Sequence, residues 1–136
     1  MAVGTELLLG LIWIAVGSAL GGMARFFVSG LVGRRIGETF PWGTMAVNVS
    51  GAFAIGAAAA AATGGVVLHE PGAWGLAATG FLGCYTTVSS FSLQTLALAR
   101  DGDWLLASLN VTLSLVLGLC AVALGFAAIA AMIHGA

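Results

Sequence analysis

From Leu7 to Ala24, and again from Trp104 to Ile133, the chain carries no charged residue. A spanning helix needs about 20 mainly apolar residues to cross a hydrocarbon core of about 30 Å. In lipid a helix satisfies every backbone group within its own segment, so stretches of this kind are committed to helix. Composition extends the argument to the whole chain. Its 136 residues are 60% hydrophobic and 7% charged, whereas a soluble domain is about 25% charged. Four basic and five acidic residues cannot cover a water-facing surface of this size. An ordinary cytosolic enzyme and a disordered chain are excluded. A net charge of -1, with no lysine, removes the basic patch that nucleic-acid binding requires, so no nucleic-acid partner is expected.

The length has room for four spanning helices and for no second, water-soluble domain. The pattern predicts one transmembrane domain over 1–136, with helices at about 7–33, 41–63, 72–99 and 104–133. Arg34, Arg35 and Glu38 form a first polar loop, Gly64, Gly65, His69 and Glu70 a second, and Arg100, Asp101, Gly102 and Asp103 a third. Pro41 and Pro71 stand where helices begin, since a first-turn proline gives up no helical hydrogen bond. The early charge is Glu6, which does not suit a secretory leader, so the first segment is expected to remain as a helix. Trp42, Trp74 and Trp104 lie near segment starts, as interfacial anchors do, and Trp13 lies within the first segment. Gly17 and Gly21 form a small-residue face. Cys84 and Cys120 read as reduced, packed thiols. His69 and His134 read as solvated.

The third segment is poor material for a lipid-facing helix. It holds Gly80, Gly83, Thr86, Thr87, Ser89, Ser90 and Ser92 in one run. Either the helix continues, with hydroxyls bonded back to carbonyls, or it breaks where protein or a cavity satisfies the freed groups. No Asp or Glu interrupts an apolar segment, although proton relays and cation pores usually need one. The segments instead contain neutral donors, among them Asn48, Ser50, Thr86, Thr87, Ser89, Ser90, Gln94, Asn110 and Ser114. Donors without carboxylates suit a small anion, whose water shell they can replace. Each has a plainer reading: Asn48 as glue between helices, the serines bonded to their own backbone, Phe91 as packing. Arg25, which follows the uncharged run, reads as snorkelling to the far interface.

Three stretches then carry a resemblance. They are Gly21-Gly22-Met23-Ala24-Arg25-Phe26, the run from Pro41 to Gly51 (PWGTMAVNVSG), and the run from Gly80 to Ser92 (GFLGCYTTVSSFS). In this order, in a chain of this size, they resemble the Fluc (CrcB-type) fluoride channels over nearly the whole length. The resemblance implies an all-α membrane protein with four transmembrane helices, the third broken near mid-membrane, assembled as an antiparallel dimer. It implies a passive fluoride channel, not an enzyme, in the plasma (inner) membrane of a prokaryote. It implies a structural sodium ion on the dimer axis, held by the backbone carbonyls of Gly83 and Thr86. The implied ion path uses Asn48, Val88, Ser89, Ser90 and Phe91, with Asn110 and Ser114 on the last helix. Two positions depart from the family pattern: Val88 stands where a phenylalanine is usual, and Gln94 where an acid is frequent.

Two other readings compete. A small four-helix exporter of organic cations needs an intramembrane carboxylate, and Glu6 precedes the apolar run instead of interrupting it. A non-transporting membrane subunit held by its glycine faces is the other. The expected partners are fluoride, the lipid bilayer and a second Fluc subunit, with a homodimer expected ahead of a heterodimer. Arg34, Arg35 and Arg100 all fall on one side, a one-sided bias that opposes dual insertion.

Overall fold

The computed structural model describes residues 2–65 and 70–135. His69, expected in a solvated loop, lies outside the described residues. Helix α1 spans Ala2–Ile36 and α2 spans Trp42–Thr63. Helix α3 opens with Pro71–Trp74, winds wider as a π-helix over Gly75–Leu82 and closes with the turn Gly83–Tyr85. Helix α4 is Val88–Arg100 and α5 is Trp104–His134. No strand occurs among the described residues.

Three of these helices are long and apolar enough to cross a membrane: Val3–Ile36, Trp42–Thr63 and Trp104–His134. The 35 residues of α1 rise through about 52 Å, well beyond a hydrocarbon core. The segment between α2 and α5 is in two pieces, α3 and α4, with Thr86 and Thr87 between them. Local chemistry sets the helix ends. Arg34 and Arg35 sit in the last turn of α1, where cations complement the negative end of the helix dipole. Gly37 then takes φ 107°, a backbone angle that glycine adopts without strain.

The buried set is small and made mostly of small side chains. Val47 is fully buried, and Ala60, Ala107 and Ala121 are close to it. Helix α2 packs chiefly against α5, while α1 packs chiefly against the π-helical stretch of α3. Gly17 and Gly21, the expected small-residue face, meet the Leu76 and Phe81 carbonyls there. Any Cβ at those two positions would collide with backbone, so these glycines set the helix spacing. Large apolar residues such as Leu8, Met23, Phe26, Leu93 and Leu119 lie on the outside, as a surface bathed in lipid requires.

Candidate functional site

The site grows from the interruption between α3 and α4. Thr86 (φ -78°, ψ 158°) and Thr87 (φ -150°, ψ 118°) are both extended. Of the two outcomes open from composition, both occur side by side. The Thr86 hydroxyl donates back to the Leu82 carbonyl at 3.0 Å, as in a continuous helix, and one residue later the helix stops.

Side chains satisfy the stop. Asn48 Oδ1 accepts the Thr87 backbone N–H at 2.8 Å, and Asn48 Nδ2 donates to the Thr87 carbonyl at 3.0 Å. One amide therefore saturates both backbone groups of the residue at the break. Thr87 in turn caps α4: its Oγ1 accepts the Ser90 backbone N–H at 3.2 Å, which is the usual task of a threonine at this position. Gly51, one turn along α2 from Asn48, lets the extended Thr86–Thr87 segment approach, since a Cβ there would meet Thr86 Cγ2. A second tie precedes the break, where the Tyr85 hydroxyl and Ser50 Oγ are 2.9 Å apart.

These substitutions of partner free two carbonyls. In an unbroken helix the Thr87 N–H would bond to the Gly83 carbonyl and the Ser90 N–H to the Thr86 carbonyl. Both donors are diverted, the first to Asn48 and the second to Thr87 Oγ1. Gly83 and Thr86 line one cavity of about 240 Å³ against Asn48, Gly51 and Ile55. Neutral carbonyl oxygens released from helical bonding are hard donors of the kind an alkali cation takes, so this donor set fits a sodium ion. No cluster of His, Cys, Asp or Glu that could hold a metal occurs among the described residues.

The remaining expected residues divide. Asn48, Val88, Phe91 and Ser114 line a groove of about 360 Å³ together with Thr86 and Thr87. Its wall is open at Val88, which is 77% exposed. Ser89 and Ser90 face the other way. They line a cavity of about 320 Å³ with Arg25, Ser29, Thr44 and Thr87. Thr87 borders both spaces, so the break is the partition between them. Asn110 lines neither. It is 2% exposed, and its amide donates to Thr95 Oγ1 at 2.8 Å.

Arg25 is the residue that sequence reasoning set aside. It is half-buried and lines the same cavity as Ser89 and Ser90. Its signal was available: Ser29 lies one turn further along α1, which makes a polar stripe. A larger cavity of about 450 Å³ continues from Ser29, Thr44 and Ser90 to Gln94 and Glu38. Gln94 Oε1 is buried there without a hydrogen-bond partner among the described residues. That is a costly arrangement in a partly buried setting.

A helical membrane protein with one interrupted helix, and with a mostly apolar groove and a polar cavity lined by Arg25 meeting at the break with no acid lining either, has parts that a pore for small anions would use. The chain belongs to the CrcB-like protein family (Camphor Resistance, CrcB), whose model matches residues 12–126. It is similar to the fluoride-specific ion channel FluC 2 of Rhodopseudomonas palustris, at 68% identity over 124 residues, covering 90% of this chain and 95% of that one. A second relative is the fluoride-specific ion channel FluC 2 of Bradyrhizobium diazoefficiens, 61% identical over 118 residues and covering 86% of each chain. A third is the fluoride-specific ion channel FluC 4 of Brucella abortus, 51% identical over 124 residues, covering 87% of this chain and 90% of that one.

Proposed function

We propose that the chain is a passive fluoride channel that releases cytoplasmic fluoride across the plasma membrane of a prokaryote. The observation that carries this reading is the break itself. Asn48 holds it open, and Asn48, Ser114 and Phe91 line the groove beside it. Fluoride is small and tightly hydrated, so it crosses only where fixed donors replace its water. Amide and hydroxyl hydrogens do this, and the positive edge of a phenyl ring adds to it. The cationic Arg25 beside Ser89 and Ser90 attracts the anion into the space on the other side of Thr87. No energy-coupling domain or enzymatic chemistry is invoked: hydrogen fluoride enters uncharged from acid surroundings and dissociates, and a leak for the trapped anion suffices.

The α3–α4 pair serves as the fourth crossing. The groove is open at Val88, and a second copy of the chain, inserted antiparallel, closes it. One chain already holds Asn48, Phe91 and Ser114, which favours a homodimer. The Gly83 and Thr86 carbonyls are the groups that would hold a sodium ion, which would supply a fixed positive charge beside the break.

Purified protein in fluoride-loaded liposomes tests the reading with a fluoride electrode. Rapid efflux is expected once a potassium ionophore relieves the charge, with chloride retained. Replacing sodium throughout by a large organic cation should lower that efflux. Flux carried by sodium or potassium, or chloride passing as readily as fluoride, overturns the channel assignment.

A further inference from the structure

Helix α4 carries Phe91 into the groove, yet it has no buried residue of its own. It leans on α5 and touches α2 only weakly. Something else has to fix its rotation. The most buried polar side chain among the described residues, Asn110 at 2% exposure, reaches across from α5 to this helix. Its Nδ2 donates to Thr95 Oγ1 at 2.8 Å, and Thr95 Oγ1 donates to the Phe91 carbonyl at 2.7 Å. The direction is fixed by chemistry. An amide nitrogen only donates, so the threonine oxygen accepts and spends its one hydrogen on the carbonyl. The chain of bonds ends on the backbone of Phe91 and nowhere else.

We propose that Asn110 and Thr95 are positioning residues for Phe91. They fix the turn of α4 that presents the ring to the groove, and neither touches the ion. This rests on the reading of that groove as the fluoride path. It also assigns Asn110 a role through Phe91 in place of one lining the path. Such a relay is stiffened where it is partly buried, because each bond polarises the next.

The test is fluoride efflux from liposomes, per assembled protein, for five variants. Thr95→Val keeps the branched shape and removes the hydroxyl; Asn110→Leu keeps the volume and removes the amide. Each is expected to lower flux about two- to tenfold, the effect of one lost hydrogen bond. Thr95→Ser restores the hydroxyl and should conduct close to the parent chain. Thr95→Val with Asn110→Leu should be no worse than the poorer single variant, since both cut one relay. Phe91→Ala is measured alongside. The proposal is overturned if Thr95→Val conducts normally, if Thr95→Ser is as poor as Thr95→Val, or if the two losses multiply. It is also overturned if both single variants fail to assemble, because the relay is then a stability element. If Phe91→Ala conducts like the parent, the groove reading itself falls, and that result is separate from the others.

Discussion

Asn48 shows how a polar residue inside an apolar helix can serve as glue and as a lining group at once. The amide has two faces. Oδ1 and one Nδ2 hydrogen hold the Thr87 backbone, and the residue also lines the groove. A carboxylate of the same shape can accept the Thr87 N–H, but it cannot donate to the Thr87 carbonyl. In Asn48→Asp an anionic oxygen would face that carbonyl oxygen across the space now bridged at 3.0 Å. Leaving both acceptors unpaired in low dielectric costs about 1–3 kcal/mol, more where one is charged. The carboxylate also repels an approaching anion. Fluoride efflux from Asn48→Asp is therefore expected to fall to near the protein-free leak. Parent-like flux in that variant would mean that Asn48 contributes nothing to the path.

Among elements, the tight contact between α2 and the break is the sharpest constraint. Gly51→Ala would drive a methyl group into Thr86 Cγ2 and to 3.3 Å from Tyr85 Cδ1. Overpacking of this kind costs about 1–3 kcal/mol. The expected result is a lower melting temperature in detergent and reduced flux. Thr86→Ser removes the opposing methyl and keeps the hydroxyl that bonds the Leu82 carbonyl, so the double variant should recover much of both. No recovery would mean that the extended Thr86–Thr87 segment and α2 are not held at this distance. The sequence makes the long helices legible, because uncharged runs bounded by Pro41, Pro71 and the charged loops leave little else for the chain to do in lipid. The break was legible as a choice only. Hydroxyls that bond back and hydroxyls that cap a new helix look alike until Asn48 is seen to take both Thr87 groups. The split of Ser89 and Ser90 from Val88 and Phe91 was not legible, since it depends on how α4 is rotated. The burial of Asn110 depends on the same rotation, set by a contact with Thr95 across two helices.

At the scale of the whole molecule, the question is which way the chain inserts. The α1–α2 and α4–α5 loops share one end, where Glu38 and Thr39 line a cavity with Asp101 and Asp103. Arg34, Arg35 and Arg100 close their helices at that end. At the other end the last turn of α2 meets α5, with Gly64 beside Ile133, and the sequence places no Lys or Arg there, from residue 64 through 71 or near either terminus. Counting basic residues alone, the rule for short loops favours the loop end in the cytoplasm. Local charge works against a strong preference. Glu38, Asp101 and Asp103 match the three arginines in number, although acids weigh little in that rule. An antiparallel homodimer needs both orientations from one sequence, and the groove that one chain assembles from Asn48, Phe91 and Ser114 makes the homodimer the expected assembly. A single cysteine at Thr39, in a chain with Cys84 and Cys120 replaced by serine, decides between these forces. A membrane-impermeant thiol reagent applied to intact cells, and then to inverted vesicles, should label about half of the protein from each side. Labelling from one side alone would sink the homodimer, and the second subunit would then have to be a different chain with the opposite bias.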